Sequence, residues 1–200
     1  FRRVLFRSLY LPMQRDLGLE SVGQSTFLMS VLMMSYFLPS YIVGVWADRY
    51  DRRTLLGWGL LINGAGFLIL GWAPNFGWAL FGCGVAGFGG SFYHPAATAL
   101  IADLYPEGQG RAFGLVGIGA NVGLLGAPIY SGWRAQLLAA SMGDAAWRQP
   151  VIELGAFALL VAVLFLLATR GSQYRGQCAS AERTGPIFAS AKIWVRSEEH

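Results

Sequence analysis

Long stretches without any charged residue are the main feature of this chain. No Asp, Glu, Lys or Arg occurs between positions 21 and 47, and none occurs between positions 54 and 102. A helix needs about 20 apolar residues to cross the hydrocarbon core of a membrane. The first stretch therefore predicts one membrane-spanning helix. The second stretch is long enough for two, and Pro74-Asn75 near its middle predicts a turn between them.

The same pattern predicts five spans in total. They lie near residues 24–46, 55–73, 77–100, 112–133 and 150–169, with the fourth extending as far as about 139. Glu153 interrupts the fifth span near its start. Uninterrupted apolar runs differ from the alternating pattern of a transmembrane barrel. The predicted fold class is therefore all-α, a polytopic transmembrane helix bundle.

Composition supports a membrane protein and excludes two other classes. Charged residues make up 13% of the chain, against roughly 25% in a soluble domain, so a water-facing surface cannot be covered in the usual way. Aromatic residues make up 14%, which excludes an intrinsically disordered chain. The net charge of +4 is compatible with a nucleic-acid partner, but the basic residues lie at the ends of apolar runs. We therefore expect a lipid bilayer around the protein and no nucleic acid bound to it.

Five spans place the loops alternately on the two sides of the membrane, and arginines are distributed unequally between these sides. One side carries Arg49, Arg52, Arg53, Arg111, Arg170 and Arg175, and the other carries Arg15, Arg134 and Arg148. Short loops rich in Lys and Arg stay on the cytoplasmic side of a membrane. The more basic loops are therefore predicted to be cytoplasmic.

The segment between the first two predicted spans contains a recognisable motif. It reads Gly44-Val45-Trp46-Ala47-Asp48-Arg49-Tyr50-Asp51-Arg52-Arg53. This resembles G-x-L-A-D-R-x-G-R-R, the cytoplasmic signature between the second and third helices of the major facilitator superfamily. Trp46 and Asp51 replace the usual Leu and Gly, and the residues that match are Gly44, Ala47, Asp48, Arg49, Arg52 and Arg53. The resemblance implies a transporter in which this loop belongs to a conformational gate.

Elementary electrostatics is compatible with a gating role for the same loop. Asp48 at a helix end would be stabilised by the positive N-terminus of another helix or by a guanidinium. Arg52 and Arg53 can pair with an acid such as Asp103 at the end of another span. Such pairs hold one face of a bundle closed and break when that face opens. The alternative is that the arginines only set the topology.

A second motif lies in the fourth predicted span. Its residues are Gly119, Gly123, Ala127, Pro128, Ser131 and Gly132. They resemble G-x3-G-x3-G-P-x2-G-G, the fifth-helix signature of antiporters in the same superfamily, with Ala127 and Ser131 in place of two glycines. Proline removes a backbone hydrogen bond and bends a helix. The resemblance favours export by exchange, and the alternative is an ordinary kinked span.

Two polar residues within the predicted spans are candidates for the substrate cavity. Phe92-Tyr93-His94-Pro95 resembles a similar F-H-P in the fosmidomycin-resistance branch of the superfamily. An ionisable residue inside a membrane helix is by default a candidate functional site. Because histidine titrates near neutrality, His94 could carry a proton or contact an anionic substrate; alternatively it is a neutral residue hydrogen-bonded within the bundle. Asn121 could face the cavity or could hydrogen-bond between helices.

No pattern typical of catalysis or cofactor binding occurs in the sequence. There is no H-E-x-x-H motif, no C-x-x-C pair and no glycine loop followed by Lys for phosphate binding. We therefore expect no enzyme activity, no cofactor and no metal site.

The family resemblance covers nearly all of residues 9–170 and implies a partial fold, with a truncated first helix followed by helices two to six. Val4-Leu5-Phe6-Arg7-Ser8 can be encoded as GTG CTC TTC CGA TCT, whose reverse complement encodes Arg196 to His200. We therefore expect residues 1–8 and 192–200 to derive from a sequencing adapter. Residues 171–191 are expected to be a cytoplasmic loop or an out-of-frame tail, and the carboxy-terminal half of the transporter is expected to be missing.

The sequence thus predicts part of a secondary active transporter that moves a small solute by alternating access. An exporter or antiporter is favoured, H+ is the candidate coupling ion, and the expected location is the inner membrane of a bacterium. Two alternatives stay open. One is a membrane sensor or receptor that does not transport, and the other is an intramembrane enzyme centred on His94.

Overall fold

The computed structural model describes residues 11–19 and 21–170. The predictions made for residues 1–8, 171–191 and 192–200 lie outside the described residues. The helices in chain order are α1 (Leu11–Asp16), α2 (Val22–Arg49), α3 (Arg52–Gly71), α4 (Phe76–Ser91), α5 (Tyr93–Leu104), α6 (Gln109–Met142), the 3-10 helix Gly143–Trp147, and α7 (Arg148–Ala168). No strand occurs within these residues, so the all-α expectation is confirmed.

Within residues 21–170 the chain passes five times between two ends of a bundle. We call them the Asp48 end, which also holds Asp103, and the Asp16 end, which also holds Arg148. Three stretches in the described part of the chain are long and apolar enough to cross a membrane, namely Gly23–Arg49, Arg52–Gly71 and the run Gln109–Ala168, which contains both α6 and α7. α4 and α5 are each too short to cross alone and together form the remaining pass.

That remaining pass is interrupted at Phe92, where the sequence predicted one continuous span near 77–100. Pro95 has no backbone N–H, so the carbonyl of Ser91 loses its usual partner one turn later, and the proline ring crowds the same carbonyl. The flanking bonds are long, with 3.4 Å from the Phe92 N–H to the Gly89 carbonyl and 3.4 Å from the Ala96 N–H to the Phe92 carbonyl. The break places His94 in the first turn of α5.

Side-chain caps begin two of the helices. The Asp51 carboxylate accepts from the Thr54 N–H at 2.9 Å and starts α3. The family signature has Gly at this position, but Asp51 adopts an extended backbone with φ −62° and ψ 118°, so no glycine is needed there. The Asn75 side chain accepts from the Trp78 N–H at 3.1 Å and starts α4, which confirms the predicted turn at Pro74-Asn75.

Glycines let α3 lie against two helices at once. A Cβ added at Gly57 would lie 2.2 Å from Leu166 of α7, and one at Gly71 would lie 2.4 Å from Ile152 of α7. On another face, a Cβ at Gly66 would lie 2.3 Å from the backbone nitrogen of Ala86 in α4. Small residues allow helices to approach closely in lipid, where the hydrophobic effect does not hold them together. α3 is therefore the central helix of the described bundle.

α6 packs mainly through the part that follows Pro128. Ser131, Gly132 and Ala135 are its buried residues, and α7 and the 3-10 helix are its principal neighbours. Among the described residues, a Cβ added at Gly119 or Gly123 would meet nothing within 4 Å. The two halves of α6 therefore differ in packing within the described structure.

Candidate functional site

At the Asp48 end, one arginine of the motif joins three helices. The Arg52 side chain is buried, and its Nε donates to the Ala47 carbonyl of α2 at 3.2 Å. Its Nη1 donates to the Ala99 carbonyl of α5 at 3.1 Å and also forms an ion pair with Asp103. A guanidinium suits this position because its several donors are fixed in one plane. The structure therefore brings together Arg52 and Asp103, the pair that the sequence analysis singled out.

Most other residues of the motif are less buried than Arg52. Gly44 faces Pro95 of α5, where an added Cβ would meet the proline Cβ at 3.9 Å. Asp48 and Arg49 are exposed, and neither forms an ion pair with a described side chain. Arg53 is half-buried in the first turn of α3. The gating role of all six residues stays a prediction.

A cavity of about 440 Å³ lies among α2, α3, α4, α5 and α7. Its volume falls within the usual range of small-molecule sites. The lining residues are Tyr36, Leu56, Gly59, Leu60, Asn63, Gly89, Gly90, Tyr93 and Phe165. The Asn63 amide also donates to the Ala86 carbonyl at 2.8 Å. The cavity is thus mainly apolar and aromatic, with three polar side chains.

His94 lies beside two residues of this cavity. Its ring is edge-on to Tyr36, with 5.8 Å between centroids, and 5.4 Å from the ring of Tyr93. Such aromatic pairs are favourable at centroid separations of about 4.5–7 Å. The imidazole is exposed in the described structure, so it does not fill the core. Its role in proton or substrate binding stays a prediction.

The structure does not bring Asn121 into contact with His94. The Asn121 amide donates to the carbonyl of Gly117 in its own helix at 2.8 Å, and the side chain is exposed. Neither alternative left open by the sequence, a cavity contact or a bond to another helix, is therefore observed among the described residues. The predicted bend at Pro128 also stays a prediction, since α6 is continuous through that residue.

Sequence analysis did not single out a polar cluster at the Asp16 end. Asp16 accepts from Arg148 at 2.6 Å, and Glu153 accepts from Arg134 at 2.8 Å. The sequence feature that could have indicated this cluster is the presence of a charged residue near the edge of an apolar run. Such a signal identifies polar residues that need partners, but it does not say which residue pairs with which.

Comparison with known proteins decides the family. The family model of the Major Facilitator Superfamily matches residues 2–196. The chain belongs to the Major Facilitator Superfamily. The all-α bundle and the family that the motifs implied are therefore confirmed, and a member of this family is an integral membrane protein.

Individual relatives match only part of this chain, at about one third sequence identity. Multidrug resistance protein MdtH of Shigella dysenteriae is 32% identical over 94 residues, which cover 46% of this chain and 23% of the relative. The human solute carrier family 2, facilitated glucose transporter member 10, is 33% identical over 116 residues, which cover 58% of this chain and 21% of the relative. MdtH of Salmonella newport is 33% identical over 95 residues.

The chain thus spans less than a quarter of the length of these relatives in the matched regions. No solved structure gives a significant match. The resemblance of the segment around His94 to the fosmidomycin-resistance branch stays a prediction.

Proposed function

We propose that this chain is part of a secondary active transporter that moves a small solute by alternating access across the inner membrane of a bacterium. The observation that supports this most directly is the contact between Arg52 and Asp103. Through one buried guanidinium, it joins the motif loop to the end of α5. A contact of this kind is suited to holding the Asp48 end closed.

The same contact is also able to open. Removing one partner from a buried ion pair is costly because a charge is left without compensation. Here the Asp103 side chain keeps 31% of its surface exposed, so water can replace the guanidinium when α5 moves away. The pair therefore supports a contact that alternates between two states.

The cavity favours a lipophilic solute with few polar groups. Tyr36, Asn63 and Tyr93 supply its polar atoms, and the rest of the lining is apolar or glycine. A sugar carries many hydroxyl groups, and each would need a partner once it is removed from water. The relatives named as multidrug resistance proteins agree with a lipophilic solute. Sugar transport is the second candidate, supported by the relative named as a glucose transporter.

Export by exchange with H+ is the proposed mode. The antiporter-like residues around Pro128 support it, and so does the ionisable side chain of His94 beside the cavity. The coupling ion acts here as a second substrate. The proposed partner of this bundle is the carboxy-terminal half of the same transporter, because alternating access in this type of fold is largely a rocking of one half against the other.

Flux in proteoliposomes tests the proposal. The full-length protein is reconstituted, a pH gradient is imposed, and uptake of a lipophilic fluorescent cation is compared with that of radiolabelled glucose. We expect accumulation of the cation that depends on the gradient, and little glucose flux. Binding without flux would support a receptor instead. Chemical conversion of a lipid that is lost in His94→Ala would support an enzyme.

Cysteine labelling tests the proposed orientation. Tyr50 is exposed at the Asp48 end, and Asp144 is exposed in the 3-10 helix at the Asp16 end. In intact bacteria, a membrane-impermeant maleimide should label Asp144→Cys and should not label Tyr50→Cys until the cells are opened. The reverse pattern would place the basic loops outside.

A further inference from the structure

The first turns of α7 hold polar residues that belong neither to the motif loop nor to the cavity. Arg148 and Glu153 lie five positions apart at the start of this helix. Each contacts different helices through its side chain. We call these two residues and their partners Asp16, Trp147, Tyr130 and Arg134 the α7 cluster.

Arg148 ties α1 and the end of α3 to α7. Its Nε donates to Asp16 at 2.6 Å, and its Nη1 donates to the carbonyls of Gly71 at 3.2 Å and Ala73 at 2.7 Å. The last carbonyls of a helix have no partner within that helix and carry a partial negative charge. The indole N–H of Trp147 donates to the same Asp16 oxygen at 2.9 Å. The guanidinium thus meets a carboxylate and the end of α3 at once.

Glu153 ties α6 to α7. The Nε of Arg134 donates to both carboxylate oxygens, at 3.1 and 3.2 Å, and its Nη2 donates to one of them at 2.8 Å. The hydroxyl of Tyr130 and the amide of Gln149 donate to the same carboxylate. Charge-assisted bonds of this kind are the strong ones, and a carboxylate in an apolar run needs such partners. Glu153 is therefore the polar anchor of the packed half of α6.

We propose that Arg148 and Glu153 are positioning residues that keep α1, α3 and α6 fixed on α7 at the Asp16 end. Meanwhile the Arg52–Asp103 contact at the Asp48 end opens and closes. The statement that the Arg52–Asp103 contact opens and closes rests on the proposed function. Because both charges lie on one helix, the three helices they hold must move together with it. The α7 cluster therefore defines the end of this half at which the contacts between helices stay fixed throughout the cycle.

Reversible cross-linking separates a fixed contact from a moving one. In the full-length protein with Cys83→Ala and Cys178→Ala, the pair Asp16→Cys/Arg148→Cys is linked by a short reducible reagent. Flux is then measured before and after reduction in the same preparation. We expect at least half of the flux to persist in the linked state. The matched pair Arg52→Cys/Asp103→Cys starts from a lower flux because its ion pair is gone, and it should lose the remaining flux when linked and regain that flux on reduction.

Two results would overturn the proposal. Flux that stops when the Asp16–Arg148 pair is linked and returns on reduction would make this end a second moving contact. The second test does not depend on flux, so it can be done even if the variants or the parent protein show none: it compares the Tm values of single and double variants. Arg134→Glu and Glu153→Arg alone should each lower the Tm by several degrees, and the two together should recover most of that loss. Additive losses would show that the Arg134–Glu153 pair does not hold α6.

The exposed pair Arg15–Asp144 is the matched control. Its atoms are 3.6 Å apart, and its side chains are 68% and 50% exposed. Exposed ion pairs of this kind contribute little to stability. Arg15→Gln should therefore leave both the Tm and the flux unchanged, although it lies at the same end of the bundle. Failure of flux in the parent protein alone would refute the proposed function and leave the unfolding test of the cluster intact.

Discussion

The contact between α3 and α4 allows a sharp test by adding one methyl group. A Cβ at Gly66 would lie 2.3 Å from the Ala86 nitrogen, 2.6 Å from its Cα and 2.8 Å from its Cβ. The first two of these atoms belong to the backbone, so a side-chain rotation cannot relieve the overlap. Gly66→Ala must therefore push the two helices apart by about 1 Å, given that carbon atoms normally approach to about 3.5–4.0 Å.

The size of the effect follows from what such a separation disturbs. Inserting a methyl group into a packed core costs about 1–3 kcal/mol when side chains can adjust. Here two backbones must separate, which also loosens the neighbouring contacts of Gly82 with Leu70 and of Gly89 with Asn63. We expect the upper part of that range. For a chain of this size, about 3 kcal/mol corresponds to a fall in Tm of about 6–12 °C.

Gly123→Ala is the matched control, because it makes the same chemical change in another helix. A Cβ at Gly123 would meet no described atom within 4 Å, and alanine favours a helix over glycine by up to about 1 kcal/mol. Thermal unfolding of both variants in the same detergent is the assay. We expect a large fall for Gly66→Ala and no change or a small rise for Gly123→Ala. Equal shifts for the two variants would refute the idea that backbone contact between α3 and α4 holds the bundle.

Three further predictions concern the proposed transport. Asp103→Asn should lower flux severalfold in proteoliposomes, since Arg52 loses its charged partner, while Glu107→Gln at the same end should not; equal flux in both variants would contradict the gate. Asp48→Ala should fold normally and transport more slowly, and unchanged flux at equal expression would remove Asp48 from the gate. His94→Ala should change the solute concentration for half-maximal flux or its dependence on the pH gradient, and identical curves for variant and parent would exclude a role in binding or coupling.

The sequence was sufficient for the parts of the fold that depend on local pattern. The apolar stretches located every pass between the two ends, because the length of hydrocarbon to be crossed sets the length of each run. The turn at Pro74-Asn75 was predictable because proline and asparagine favour turns. The partner of Arg52 was predictable as an acid at the end of another span, since an arginine at that depth needs one.

Other features depend on three-dimensional packing and could not be predicted. The break at Phe92 arises from Pro95, yet proline in a membrane helix often causes only a bend. The sequence contained Arg134, Arg148, Asp16 and Glu153, but four charges allow more than one pairing. Their actual partners depend on which helix ends become neighbours in the bundle.

The glycine contacts distinguish closely packed helices of this bundle from a helix that is set apart from them. At Gly66 and Gly64, α3 meets α4 and α7 with almost no side chain between the backbones, so both interfaces are closely packed. α3, α4 and α7 therefore form one closely packed unit. α5 is separated from α4 by the break at Phe92 and carries both His94 and Asp103. His94 beside the candidate cavity and Asp103 of the candidate gate thus lie on one helix of 12 residues, so a displacement of that helix would affect both.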